Sequence, residues 1–168
     1  MPYGVRSATA PESSRRTSYQ KPLIEPVQNK VAIFEDGEMV MDAVLTELSK
    51  RLPGLKLTHT HAVKSAEESM SIFIAEMPRV VITDLCLTES VRHLEGFEIL
   101  AMIRRIKPDT WVALSSSIYT PDGVNSPDRL FRRLNRKAVV KDFDAVFQKA
   151  DMDGISAFIR AHLDDPLH

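Results

Sequence analysis

Four short, largely apolar runs in this chain each stop on a charged or hydroxyl side chain. Val31-Ala32-Ile33-Phe34 stops at Glu35-Asp36, and Val80-Val81-Ile82-Thr83 stops at Asp84. Trp111-Val112-Ala113-Leu114 stops at Ser115, and Ala145-Val146-Phe147-Gln148 stops at Lys149. Runs of this length and character suit strands buried on both faces of a parallel sheet. Helical patterns lie between them. Strand-helix repetition of this kind implies a sheet covered on both faces, with right-handed crossovers. In an open parallel sheet, ligands bind in the crevice at the carboxyl ends of the strands. Three carboxylates, a hydroxyl and an ammonium would converge there, a set suited to a divalent cation and a phosphoryl group.

The elements can be read in order. Lys30 to Phe34 predicts the first strand. Asp36 is a candidate N-cap for a helix with Met39, Val40, Ala43, Val44 and Leu48 as its inward stripe, broken by Pro53-Gly54. Leu55 to Thr60 predicts a second strand. Ala66 to Met77 predicts a helix with Met70, Phe73, Ile74 and Met77 in register, stopped by Pro78. Arg79 to Thr83 predicts the third strand, followed by a loop from Leu85 to about Leu94. Phe97, Leu100, Ala101, Ile103 and Arg104 belong to a third helix, and Thr110 to Leu114 to the fourth strand. A polar stretch leads to a helix from about Asp128 to Ala138, then a strand from Ala145 to Gln148 and a helix from Gly154 to Leu163.

A chain of 168 residues with 43% hydrophobic content suits one domain with a real core. Residues 1–28 carry four prolines, many Ser and Thr, and Arg6, Arg15, Arg16 and Lys21, with no apolar periodicity. They read as a flexible, mildly basic tail before a domain spanning 29–165. The prolines and the missing amphipathic stripe argue against a transit peptide. Net charge is −1, so no bulk field points to nucleic acid or membrane. The single cysteine, Cys86, excludes an internal disulfide and fits a reducing, cytoplasmic setting. No secretory h-region and no apolar run long enough to span a bilayer are present.

With these strand ends in this order, the chain resembles the receiver domain of two-component response regulators over about residues 29 to 165. The resemblance implies an α/β, flavodoxin-like, doubly wound five-stranded parallel sheet. It implies that Glu35-Asp36 is the acidic pair, Asp84 the phosphoacceptor, Ser115 the switch residue and Lys149 the phosphate-pairing lysine. Gly96 matches the glycine that opens the third helix. The chain also departs from the pattern. The loop after Asp84 is longer and lacks the proline, and Ala150 replaces the cis-bonded proline after the lysine, so that turn is expected to differ. The aromatic switch position falls near Val146, with Phe147 as its neighbour.

If the resemblance holds, Asp84 attacks the phosphorus of a phosphohistidine on a sensor histidine kinase or phosphotransfer protein. Mg²⁺ brings the two anions together, held by Asp36, Asp84, Glu35 directly or through water, and the backbone carbonyl of Cys86. Lys149 and Ser115 would bind the phosphoryl oxygens, and the Ser115 shift would carry the signal to a downstream protein target. The expectation is a stand-alone phosphoacceptor, not an enzyme, with a homodimer through the family's usual face also compatible.

Two other readings compete. A pseudo-receiver would keep the fold and act only as an interaction module. A haloacid-dehalogenase-type phosphohydrolase shares an aspartyl nucleophile, but Cys86 stands where its second carboxylate is needed, and Asp164-Asp165 lies at a helix end. Arg129, Arg132, Arg133, Arg136 and Lys137 crowd one helix, read first as a solvated face and second as a docking surface. One basic helix without a reading motif does not make a nucleic-acid binder. His59 and His61 would share a strand face, but no third metal ligand presents itself. His93 lies in the loop after Asp84, within reach of the site. Nothing near Cys86 suggests an activated thiolate.

Overall fold

The structure, a computed structural model, describes residues 29–88, 94–117 and 142–163. The N-terminal tail, His93, the basic segment around Arg129 to Lys137 and Asp164-Asp165 lie outside the described residues. Among the described residues nine elements follow one another: β1 (Lys30–Phe34), α1 (Glu38–Arg51), β2 (Lys56–Leu57), α2 (Ala66–Glu76), β3 (Val80–Thr83), α3 (Glu95–Ile106), β4 (Trp111–Ser116), β5 (Ala145–Gln148) and α4 (Met152–Leu163). The strands pair in parallel in the order β2-β1-β3-β4-β5. This is the flavodoxin-like doubly wound sheet expected from the sequence.

Strand alternation divides the core into two layers. Ala32, Phe34, Val81, Val112 and Leu114 face α2 and α3, where they meet Met70, Phe73, Phe97 and Ile103. Val31, Ile33, Val80, Ile82 and Ala113 face α1 and α4, where they meet Met41, Leu48, Ile155 and Ile159. The three central strands are therefore apolar on both sides, which is why their runs show no polar alternation.

Several elements differ from the sequence reading. The inward stripe of α1 is Met41 and Leu48 with Val44 and Leu45 beside them, while Met39 is 86% exposed. Gly37, not Asp36, is the N-cap of that helix, and the cap has no side-chain hydrogen bond. In α2, Met70 and Phe73 are buried but Ile74 and Met77 are exposed, and in α3 Ala101 is exposed. The helix start of α2 is set by Ser65, whose side chain accepts from the Glu68 N–H. Edge strand β2 shrinks to two residues, so His59 and His61 lie beyond it. They do not form a shared strand face. His59 stacks on Phe34, and its imidazole is held below its ordinary pKa by burial and by His61. By contrast β4 runs two residues further than expected, through Ser115 to Ser116, because both pair with β5. All peptide bonds among the described residues are trans, Lys149–Ala150 included.

Candidate functional site

Every candidate side chain comes from the carboxyl edge of the sheet, around the point where β1 and β3 lie side by side and the strand order reverses. Glu35 and Asp36 follow β1, Asp84 follows β3, Ser115 is the penultimate residue of β4, and Lys149 follows β5. The ladder continues past the strand ends and fixes this height. The Asp84 N–H donates to the Phe34 carbonyl at 2.8 Å, and the Val63 N–H donates to the Glu35 carbonyl at 2.8 Å.

Lys149 binds the site together. Its Nζ lies 2.8 Å from Asp84 Oδ2 and 2.9 Å from Glu35 Oε2. Glu35 also accepts from the Gly37 N–H at 3.0 Å, and Asp84 Oδ1 from the Leu85 N–H at 2.6 Å. One ligand oxygen from each of Glu35, Asp36 and Asp84 can be chosen so that all lie within 4.8 Å of one another. Ser115 lines the same cavity as Glu35, Asp84 and Lys149, and its other walls are apolar, among them Val40, Val44, Ile82 and Ile155. The structure thus brings Glu35, Asp84, Lys149 and Ser115 together, with Asp36 beside them.

The electrostatics of this cluster are set by burial. Asp84 is only 8% exposed. Loss of solvent and the nearby charge of Glu35 raise its carboxyl, and Lys149 and the Leu85 N–H pull it back, leaving it at about 6. Burial works against the Lys149 ammonium, but its hydrogen bonds and charge contacts with Asp84 and Glu35 outweigh that and raise it. The pair is therefore ionised at neutral pH. Among the described residues the Lys149 ammonium contacts two of the three carboxylates, and an all-oxygen, anionic donor set is what a hard divalent cation takes. Cys86 is not a thiolate ligand: burial, then the charges of Asp84, Glu95 and Asp36, push it up to about 11.

Two residues of the site were not read from the sequence, and a third was read without its physical reason. Glu95, the first residue of α3, is buried and reaches back across the loop to the Leu87 N–H at 3.2 Å and the Thr88 hydroxyl at 2.7 Å. Lys64 donates its ammonium to the Asp36 carbonyl. Gly96 makes a close approach: a Cβ there would sit 2.5 Å from the Asp84 carbonyl oxygen. Gly96 had been matched by its place before the helix, but the reason a glycine is needed lies in this tertiary contact. Glu95 and Lys64 carry no sequence signal of their own, since an acid in a first helical turn and a lysine in a loop are ordinary.

No family model matches the chain, and no curated protein matches it in sequence. Solved structures do match it in fold. One is a DNA-binding response regulator of the LuxR family from Staphylococcus aureus, with TM-score 0.59 and 18% identity over 81% of this chain and 99% of that one. A CheY-like receiver domain from Methanospirillum hungatei JF-1 matches with TM-score 0.57 and 14% identity, over 81% of this chain and 94% of that one. The signal receiver domain of the response regulator NarL from Mycobacterium tuberculosis gives TM-score 0.57 and 16% identity, over 82% and 98%. The chain has the fold of response-regulator receiver domains. No described helix is long and apolar enough to cross a membrane.

Proposed function

We propose that this protein is a phosphoacceptor of two-component signalling, with Asp84 as the acceptor. The observation that carries the reading is the Lys149 ammonium bridging buried Asp84 and Glu35, with Asp36 within reach of the same cation position. One Asp84 oxygen attacks phosphorus as the phosphohistidine P–N bond breaks, and the departing ring nitrogen keeps the bonding electron pair. The product is an acyl phosphate. Asp84 must be ionised to attack, and with its carboxyl at about 6 it is so at neutral pH. Mg²⁺ would be held by Asp36 and Asp84, with Glu35 and the Cys86 carbonyl alongside, and supplies charge neutralisation between nucleophile and phosphoryl group. Lys149 would then turn from carboxylate to phosphoryl oxygens, and Ser115, across the same cavity, would hydrogen-bond them.

In this reading the phosphodonor is a histidine kinase or phosphotransfer protein, the output is a protein contact, and the setting is cytoplasmic. Hydrolysis of the acyl phosphate is signal decay and not a metabolic activity. One observation favours the pseudo-receiver instead. The only aromatic of β5, Phe147, packs into the α1 and α4 layer against Phe158, with ring centroids 5.8 Å apart, while Val146 takes the opposite face. No aromatic side chain of that strand is therefore free to follow Ser115. The two readings separate on incubation with Mg²⁺ and acetyl phosphate beside Asp84→Asn. An Asp84-dependent gain of one phosphoryl group by intact mass supports the phosphoacceptor. No gain together with no Mg²⁺ binding leaves the interaction module.

A further inference from the structure

The first turn of α3 grips the chain on both sides of Cys86. Upstream, the Gly96 N–H donates to the Leu85 carbonyl at 3.1 Å, and the Gly96 Cα packs so closely on Asp84 that a Cβ has no room. Downstream, both Glu95 carboxylate oxygens are used, one on the Leu87 N–H and one on the Thr88 hydroxyl. Glu95 is 6% exposed, so its charge is held in the protein to make these two bonds. A buried carboxylate is costly unless its hydrogen bonds are met, and here both are spent on the loop that leaves the phosphoacceptor. Cys86 is the one residue between the two grips.

We propose that Glu95 is a positioning residue of the cation site. By holding Leu87 and Thr88 it fixes the Cys86 main chain beside Asp84, so that the carbonyl is in place for a divalent cation without ordering the loop first. The inference rests on the phosphoacceptor reading and deepens it. Such outer partners change metal affinity through the geometry of the groups they hold, by roughly 10- to 100-fold when removed.

The test is Mg²⁺ affinity by isothermal titration calorimetry, with thermal melting in EDTA as the companion measurement. Glu95→Gln keeps the shape but loses the charge and one acceptor, and Thr88→Val removes one bond with little change of volume. Ile103→Val, two turns further along α3 in the same apolar layer, is the packing control. The expected result is a fall in Mg²⁺ affinity of about 10-fold in Glu95→Gln and a smaller fall in Thr88→Val. Ile103→Val should keep wild-type affinity at a comparable loss of melting temperature. Wild-type affinity in both loop variants, or an equal loss in Ile103→Val, overturns the role of Glu95 while leaving the phosphoacceptor reading intact. A wild-type protein that neither binds Mg²⁺ nor accepts phosphate removes the phosphoacceptor reading, and this inference with it. Should Glu95→Gln fail to fold, Thr88→Val alone carries the decision.

Discussion

At Asp84 the folded chain works against its own stability. Burial and the Glu35 charge leave the carboxyl at about 6 instead of the ordinary 3.8. A group whose folded pKa is raised binds its proton more tightly when folded. The stabilisation from that proton is fully present below about pH 4 and is lost as pH rises through about 6. At neutral pH the ionised Asp84 therefore weighs against folding, by up to about 3 kcal/mol for a shift of that size. That penalty is already net of the Lys149 contact; Asp84→Asn removes it but leaves the Lys149 ammonium beside a neutral amide, so a gain of about 1 kcal/mol is expected at pH 7.5 in EDTA, or several degrees in melting temperature. The gain should vanish by pH 4. Thermal melts of both proteins across that range check it, and a variant less stable than wild type at pH 7.5 would show that the ion pair outweighs the burial. The residues of this cluster were legible in the sequence because each stands where an apolar run stops. Glu95 was not, because its partners lie across a loop and no periodicity links them. Asp36 was read both as a helix cap and as one of the acidic pair; it stands near Asp84 as the second reading had it, and the helix starts from Gly37 without a side-chain cap.

Among the elements, the central strands were easy to read and the helix faces were not. Burial on both sides makes β1, β3 and β4 continuous apolar runs, and their shortness and β-branched content mark them as strands. In α1 and α2 apolar side chains also stand outside the core, Met39 and Ile74 among them, so a stripe drawn through every apolar position rotates the helix. The end of β4 was set by pairing with β5, a contact between residues that are distant in sequence. The start of α3 gives a prediction that propensity alone would get wrong. Alanine inside a helix is favoured over glycine by about 1 kcal/mol. At Gly96, however, the added methyl group would meet backbone, at 2.5 Å from the Asp84 carbonyl oxygen and 3.1 Å from the Leu85 Cα. Backbone cannot rotate aside, so α3 or the Asp84 turn must move. Gly96→Ala is expected to lose about 2 kcal/mol of stability in urea unfolding and to weaken Mg²⁺ binding as well. A stabilised variant would mean that the helix start gives way without cost.

Across the whole molecule, two apolar layers hold the ends of β1, β3, β4 and β5 along one edge of the sheet, and acidic groups outnumber the ammonium that bridges them. Among the described residues, Lys149 contacts two of the three carboxylates of Glu35, Asp36 and Asp84, and the Lys64 ammonium reaches only the Asp36 main chain. The fold positions the site from opposite sides of the sequence, with Glu35 and Lys149 separated by 114 residues. Unfolding therefore scatters the cation ligands, and a divalent ion that binds the set should stabilise the fold by mass action. At ten times its dissociation constant, Mg²⁺ adds about 1.4 kcal/mol. The ligands must be ionised to bind, so the effect has a pH dependence of known sign. At pH 7.5 Asp84 is already deprotonated and Mg²⁺ displaces no proton from it. At pH 5, below its pKa of about 6, the ion must first expel that proton, which weakens binding by roughly tenfold. The rise in melting temperature on adding Mg²⁺ should accordingly be large at pH 7.5, small at pH 5, and lost at both in Asp36→Asn. Equal shifts at the two pH values, or a shift retained in Asp36→Asn, would place the ion away from this cluster and remove the electrostatic basis for phosphoryl transfer to Asp84.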